Sequence, residues 1–203
     1  MEYDLIVTSC NRFDLLRQTL RSFFRYADVL PSKVIIHEDS NVPLPTYVRQ
    51  NNPVIIQGPS GQIAGIDKCI ALVDKDYFFH LEDDWAFTRT GFIAESLQAL
   101  EDPKCVCHWL RSRKDTNGHP VEGDRMALGY NRRWHGFTFN PTLKRMADYP
   151  VGGYSAFCED PRKPWDCESA LGLHYRNEGM YASIAKERYV MHTGGKRHVN
   201  TNR

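Results

Sequence analysis

Short apolar runs alternate with amphipathic stretches through the first half of the chain. The first run, residues 3–9, ends in small polar residues, which is typical of a buried strand that opens into a loop. Leucine and phenylalanine then repeat at helical spacing, and Asn11 with Asp14 three positions later forms a candidate capping pair. Two further apolar runs, 33–37 and 54–56, predict strands separated by a proline-punctuated loop.

The alternation continues to residue 100. Gly61 begins a second helical stretch with isoleucines facing inward, 77–81 forms a fourth apolar strand, and helical spacing returns at 92–100. This order predicts an α/β fold with a mostly parallel central sheet flanked by helices, in which ligands bind at the carboxyl ends of the strands. The segment 111–151 has weak periodicity and predicts irregular loops with one or two short strands.

Length and composition support one folded domain. The chain has 203 residues, of which 41% are hydrophobic and 12% aromatic, enough for a packed interior, so global disorder is excluded. No apolar run approaches the ~18 residues that a membrane span needs, and the first residues lack the basic region of a signal peptide. We therefore expect a single domain, 1–203, in the cytoplasm and without a membrane span; the sequence predicts no oligomeric state.

The cysteines are interpreted as reduced thiols, because a chain of this size does not need disulfides to fold. They are Cys10, Cys69, Cys105, Cys107, Cys158 and Cys167. The cluster at 105–108 has two cysteines and a histidine but no second pair that would complete a tetrahedral zinc site. A buried strand is predicted there.

The charge is distributed unevenly although the formal net charge is only +1. Residues 1–101 contain nine basic and 14 acidic side chains, whereas 102–203 contain 17 basic and 11 acidic ones. Tryptophan and tyrosine lie among the basic residues of the second half, which favours a polyanion or phosphate partner, although a solvated basic face has the same composition. The residues concerned are Trp109, Arg111, Arg113, Lys114, Arg125, Tyr130, Arg132, Arg133, Trp134, Lys196, Arg197 and Arg203.

Three consecutive carboxylates, Glu82, Asp83 and Asp84, follow the fourth predicted strand. Neighbouring like charges repel, so a positive partner is expected among them. Mg²⁺ or Mn²⁺ takes oxygen ligands from one or two carboxylates, substrate phosphates and water, which suits a strand end that faces a ligand crevice. Alternation along a strand directs Glu82 and Asp84 to one side and Asp83 to the other. Solvated turn acids are the alternative.

The strand ends together resemble a known family. Residues 8–12, 38–40 and 79–85, with 189–194 near the carboxyl terminus, resemble the nucleotide-sugar glycosyltransferases of the GT-A fold, close to the family 2 type. The resemblance implies a single GT-A-like, Rossmann-like domain. It also implies that 1–101 binds the nucleotide sugar and that 102–203 binds the acceptor.

The same resemblance implies roles for individual residues. Asp84 would bind the metal directly and His192 would complete the metal site or contact phosphate, while Glu82 would contact ribose or the metal through water. Caps, turns and packing are the alternatives for the residues with donor-binding roles. Those residues are Thr8, Ser9 and Arg12 at the nucleoside end, Asp39 at base or ribose, Gln62 and Asp83 beside the nucleotide, and Lys196 at the diphosphate.

Asp166 and Glu168 are the candidates for the general base that deprotonates the acceptor hydroxyl. They lie at a predicted helix start, where acids are also favoured by the helix dipole, and the choice between them is open. The resemblance implies an inverting displacement in which Mn²⁺ or Mg²⁺ stabilises the departing nucleoside diphosphate, with a UDP-sugar as the expected donor.

The acceptor is the least defined partner. The short chain resembles compact GT-A enzymes, encoded by viruses, that glycosylate hydroxymethylated pyrimidines in DNA, and the basic and aromatic second half suits such an acceptor. A saccharide that stacks on Trp109, Trp134 or Trp165 is the alternative. A nucleotidyltransferase is less favoured, because 8–12 contains no glycine, and a non-catalytic nucleotide- or DNA-binding module would need no base.

Overall fold

Fifteen helices and strands follow one another in the part of the chain described by a computed structural model, residues 1–127, 136–160 and 164–195. In chain order they are β1 (Asp4–Ser9), α1 (Phe13–Tyr26), β2 (Lys33–Glu38), β3 (Val54–Gln57), α2 (Gln62–Ile70), β4 (Tyr77–Glu82), β5 (Trp85–Phe87), α3 (Phe92–Leu100), β6 (Cys105–Trp109), β7 (Val121–Glu122), β8 (Arg125–Met126), β9 (Thr142–Arg145), α4 (Pro164–Asn177), β10 (Tyr181–Ile184) and β11 (Val190–His192).

The central sheet has the strand order β3-β2-β1-β4-β9. Its first four strands are parallel, and β9 pairs antiparallel to β4. Two smaller sheets adjoin it: β6-β10-β8-β7, in which β6 and β10 are parallel, and the antiparallel pair β11-β5. The structure therefore confirms the predicted α/β class with a mostly parallel central sheet.

Alternate residues of β1 pack into two different cores, one on each face of the central sheet. Leu5 and Val7 belong to the core that includes Phe23 of α1, whereas Ile6 belongs to the core that includes Ile66 of α2. Because successive side chains of a strand point to opposite faces, an apolar run without alternation is the expected sequence for a strand covered on both faces. Helices α1 and α2 thus cover the two faces of the sheet.

Helix α1 begins at Phe13, and its N-cap residue is Arg12, whose side chain makes no capping hydrogen bond. The predicted cap by Asn11 is therefore wrong. Asn11 adopts a φ of 51°, and its backbone N–H donates to Glu38 Oε1 at 2.8 Å. The Asn11 backbone is thus bound to Glu38 at the end of β2, and Asn11 is not the N-cap of α1.

The middle of the chain contains more strand than expected. Residues 111–151 include three short strands, and one of them, β9, extends the central sheet. Weak periodicity could not indicate β9, since its place depends on pairing with β4. The strand prediction for 105–108 is confirmed: β6 is buried throughout, and all six cysteines are free thiols.

Trp109 is also buried, 3% exposed, and its indole N–H donates to the Gly136 carbonyl at 2.8 Å. The expectation that it stacks on an acceptor is therefore wrong.

Within the described residues, none of the helices has the length and apolar character that crossing a membrane requires.

Candidate active site at the carboxyl edge of the central sheet

The ends of β1, β2 and β4 meet at one edge of the sheet, as parallel strands require, and β11 brings a fourth chain segment to it. Residues 8–12, 38–40 and 82–84 are thereby brought together. Segments that carry the family resemblance therefore lie together at this edge of the sheet.

Arg12 is ion-paired with two members of the acidic triplet. Its Nη1 donates to Asp84 Oδ2 at 2.7 Å, its Nε donates to Asp83 Oδ2 at 3.2 Å, and its Nη2 donates to Asp83 Oδ1. Burial raises the pKa of Asp83 to about 6, and Arg12 opposes this shift, so Arg12 keeps Asp83 ionised near neutral pH. Part of the positive charge that the triplet needs therefore comes from the chain itself.

Asp83 faces inward and is fully buried. Besides Arg12, it accepts a hydrogen bond from the Cys10 backbone N–H at 3.3 Å, and its own carbonyl accepts one from the Thr19 hydroxyl at 2.7 Å. These contacts join the strand end to α1. The resemblance implies that Asp83 and Arg12 contact the nucleotide, but in the structure these two side chains bind each other.

Asp84 and His192 lie side by side. His192 Nε2 is 3.2 Å from Asp84 Oδ2. Burial would raise the pKa of Asp84, but the hydrogen bond with His192 and the charge of Arg12 outweigh it and lower this pKa, while the hydrogen bond to Asp84 raises the pKa of His192. A carboxylate and an imidazole thus converge from β4 and β11.

The glycine after this histidine lets the backbone come close to the carboxylate. A Cβ on Gly194 would lie 2.4 Å from Asp84 Oδ2, and the Thr193 N–H donates to the Asp84 carbonyl at 2.7 Å. Only glycine fits without displacing Asp84. The segment 192–194 therefore wraps closely around one acidic residue.

Glu82 is held by two side chains. Its Oε1 accepts from Gln62 Nε2 at 2.7 Å, and its Oε2 accepts from the Trp85 indole N–H at 2.9 Å. Burial and the charge of Asp84 raise the Glu82 pKa. Gln62, expected beside the nucleotide, thus binds Glu82 within the chain.

The nucleoside-end residues differ in how accessible they are. Thr8 and Ser9 are buried, and the Thr8 hydroxyl lies 3.4 Å from His80 Nε2. Asp39 is half-buried; its Oδ1 accepts from the backbone N–H groups of Ser60 and Gly61. Asp39 is thus the most accessible of the three, and it also fixes the turn that begins α2.

The two candidate bases lie in the first turns of α4 but in different surroundings. Asp166 is exposed and makes no hydrogen bond or ion pair with the described residues, whereas Glu168 is half-buried and points toward the loop before β9. Glu168 Oε1 accepts from the Phe139 backbone N–H at 2.6 Å and from the Thr138 hydroxyl at 3.0 Å. The negative charge of Glu168 also contributes to the raised pKa of Glu82.

Sequence reasoning missed four residues. Trp85 lies between Glu82 and His192, with ring centroids of Trp85 and His192 5.1 Å apart, and the Arg111 guanidinium lies 5.6 Å from the Trp85 ring. Glu38 accepts a hydrogen bond from the Asn11 backbone N–H. Lys144 of β9 is buried, and its charge lowers the pKa of Glu168. Arg111 belonged to a basic cluster, and Glu38 and Trp85 lay within the segments that resemble the family, but no local pattern indicated Lys144.

The donor set fits a divalent cation of the Mg²⁺ or Mn²⁺ type. Such ions take one or two protein ligands, with substrate phosphates and water completing an octahedron whose neighbouring donors are about 3 Å apart. Asp84 Oδ2 and His192 Nε2 meet this spacing at 3.2 Å. Among the described residues, no three His, Cys, Asp or Glu side chains converge on one point.

Part of the expected site lies outside the described residues. This holds for Lys196, which the resemblance places at the diphosphate, and for Trp134, Arg132, Arg133 and Arg197.

No protein-family model matches the chain, and no curated protein matches its sequence. Its structure is similar to mannosyltransferase PcManGT from Pyrobaculum calidifontis in complex with GDP-Man and Mn²⁺, with a TM-score of 0.71 over 97% of this chain and 58% of that chain at 13% identity. S. aureus TarS 1–349 in complex with UDP-GlcNAc is similar with a TM-score of 0.67 over 96% of this chain and 61% of that chain, also at 13% identity. The chain therefore has the GT-A fold of these structures and spans 58–61% of their length.

Proposed function

We propose that the protein transfers a sugar from a nucleoside-diphosphate sugar to a hydroxyl group with the help of a divalent cation. The observation that carries the proposal is the pair Asp84–His192, 3.2 Å apart at the carboxyl edge of a parallel sheet. Ligands of open α/β sheets bind at that edge. The solved structures with the same fold were determined with GDP-Man and Mn²⁺ or with UDP-GlcNAc.

Asp84 and His192 would hold Mn²⁺ or Mg²⁺ together with the donor diphosphate. When bound, the cation supplies Lewis-acid stabilisation of the departing nucleoside diphosphate. Glu82, which accepts hydrogen bonds from Gln62 and Trp85, would keep the end of β4 in place next to the cation. Asp39 would contact the nucleoside, with a UDP-sugar as the proposed donor.

Glu168 is the proposed general base, in preference to Asp166. One of its oxygens is fixed by two hydrogen bonds, which orients the carboxylate. Burial raises the Glu168 pKa, and a pKa moved upward toward the operating pH suits a base that accepts a proton near neutrality. Asp166 is exposed and accepts no such hydrogen bonds from the described residues. A base on the far side of the donor sugar implies inversion at the anomeric carbon.

For the acceptor, we propose a hydroxymethylated pyrimidine in DNA, with a saccharide as the alternative. Exposed Arg113 and Lys114 support a phosphate backbone, and Trp165, 59% exposed beside Asp166, supports stacking of a base or a sugar ring. The division into a donor half, 1–101, and an acceptor half, 102–203, stays a prediction. In the proposed mechanism, His192 of the second half would bind the cation at the donor diphosphate.

A donor screen tests the proposal. Purified protein with Mn²⁺ or Mg²⁺ would be given UDP-glucose, UDP-GlcNAc or GDP-mannose, and release of nucleoside diphosphate would be followed with and without hydroxymethylated DNA. We expect release that EDTA abolishes and Mn²⁺ restores, and that Asp84→Asn abolishes while Asp76→Asn, an exposed matched change, does not. Release that survives both chelation and Asp84→Asn would refute the metal-dependent mechanism.

The acceptor arms separate the alternatives. Release that rises only with hydroxymethylated DNA identifies the base-modifying reaction, whereas release that DNA leaves unchanged moves the search to saccharides. The anomeric configuration of the product, read by proton NMR, decides between inversion and retention.

A further inference from the structure

Lys144 of β9 is a buried cation without a hydrogen bond. Its side chain is 2% exposed, and Nζ has no hydrogen-bond partner among the residues that the structure describes. The centroid of the Phe137 ring lies 5.5 Å from Nζ. Burying an ammonium group away from water is costly unless nearby charge compensates it, so this lysine needs an explanation.

The sheet register places this side chain on the face that carries the acidic site. Lys144 lies directly opposite Phe78 of β4, and opposite residues of an antiparallel pair point to the same face. Alternation along β4 then puts His80 and Glu82 on that face as well. Helix α4 covers it and brings Glu168.

One loop links Lys144 to Glu168, because the Phe137 ring lies next to Lys144 Nζ and the following two residues, Thr138 and Phe139, bind Glu168. The charged and titratable groups that act on this pair come from several elements. The negative charges of Glu168 and Glu82 favour the ammonium form of Lys144, and Lys144 in turn favours the carboxylate form of Glu168. Burial lowers the pKa of Lys144 to about 8 and that of His80 to about 3, so near pH 7 the lysine is the cation of this region. The remaining groups are the thiols of Cys107 in β6 and Cys167 in α4.

We propose that Lys144 is a positioning residue whose buried charge keeps the Glu168 carboxylate ionised and aligned for proton transfer. The ionised carboxylate accepts the Phe139 N–H and Thr138 hydroxyl bonds, which hold the start of α4 against the loop before β9. Lys144 makes no direct bond to Glu168, so it acts through space and does not consume the acceptor lone pairs of the base. This inference rests on the proposed function, in which Glu168 is the base.

The pH dependence of the rate tests the proposal. Lys144→Met removes the charge and shortens the unbranched side chain by one atom, whereas Lys104→Met removes an exposed lysine as the matched control. We expect the acidic limb of kcat/KM to move upward by about one pH unit in Lys144→Met, with recovery of the rate at higher pH and an unchanged KM for the donor. Lys144→Arg, which restores the charge, should return the limb toward that of the wild type. A loss of rate that is equal at every pH, or a limb at the wild-type position, would overturn the proposal.

A second measurement needs no activity. The carboxyl carbon of Glu168, labelled with ¹³C and assigned with Glu168→Gln, should titrate at higher pH in Lys144→Met than in the wild type and in Lys104→Met. Equal midpoints would overturn the electrostatic link. If the wild type consumes no nucleotide sugar, the proposed function fails, and the carboxyl titration still decides whether Lys144 controls Glu168.

Discussion

His192 Nε2 and Asp84 Oδ2 lie 3.2 Å apart although 108 positions separate the two residues in the chain. The antiparallel pairing of β5 with β11 produces this approach, because His192 is directly opposite Trp85, the residue that follows Asp84. A short two-stranded sheet thereby delivers an imidazole to the acidic triplet.

The pair makes a prediction for metal binding. Asp84→Asn keeps the shape of the side chain but removes its charge, so we expect Mn²⁺ affinity to fall by about 10-fold to 100-fold or more in the presence of UDP. Electron paramagnetic resonance of free Mn²⁺ measures it. Asp76→Asn should bind like the wild type, and equal affinity in both variants would remove Asp84 from the metal site.

Arg12 is expected to matter for stability as well as for the site. Arg12→Leu leaves the buried Asp83 carboxylate without its cation, which should destabilise the fold by about 3–5 kcal/mol in urea unfolding. The double variant Arg12→Leu/Asp83→Asn should recover part of this loss, because no buried charge is left unpaired. Arg21→Gln, an exposed change on the same helix, is the control; a similar loss there would contradict the explanation.

Gly194→Ala should impair activity more than stability. The added Cβ would lie 2.4 Å from Asp84 Oδ2, so the carboxylate must move away from His192. Gly195→Ala is the matched variant: its Cβ meets nothing within 4 Å, but φ of +56° there disfavours a side chain. We expect Gly194→Ala to reduce metal-dependent turnover at least tenfold relative to Gly195→Ala, in a comparison of kcat together with melting temperature. Equal turnover would show that the close approach has no role.

Trp165 makes a prediction about the acceptor. If its exposed ring stacks on the acceptor, Trp165→Ala should raise the acceptor KM by an amount corresponding to about 1–3 kcal/mol and leave donor hydrolysis unchanged. Leu173→Ala, 47% exposed on the same helix, is the control. Steady-state kinetics with varied acceptor measures the effect, and an unchanged acceptor KM would exclude stacking on Trp165.

Glu95 makes a prediction for acid stability. The His108 imidazole, whose Nε2 lies 3.4 Å from Glu95 Oε1, is the main cause that lowers the Glu95 pKa to about 2, and the Tyr189 hydroxyl also donates to this carboxylate. A lowered pKa stabilises the fold above the unfolded-state value of about 4.3, and this contribution is lost as pH falls from there toward 2. Glu95→Gln should therefore show a flatter decline of unfolding free energy between these pH values. Glu101→Gln, exposed at the end of the same helix, should keep the wild-type slope.

The order of elements was predictable because each depends on neighbours in sequence. Strands covered on both faces require continuous apolar runs such as 77–81, and α3 follows its helical spacing from Phe92 to Leu100. Parallel strands also place their carboxyl ends at one edge. The sequence therefore determined the fold class and the common location of Arg12, Asp39 and Asp84.

Tertiary structure decided which way each of these side chains points and what faces it. Arg12 turns inward to Asp83, Trp109 is buried against Gly136, and Glu168 binds the loop before β9 whereas Asp166 is exposed. Lys144 lies on the same face of the sheet as Glu82 only because β9 pairs with β4, and no local pattern encodes a pairing between strands so far apart in the sequence. Local patterns specify which residues are buried, but ion pairs, close approaches and shared faces arise from contacts between segments that are far apart in the chain.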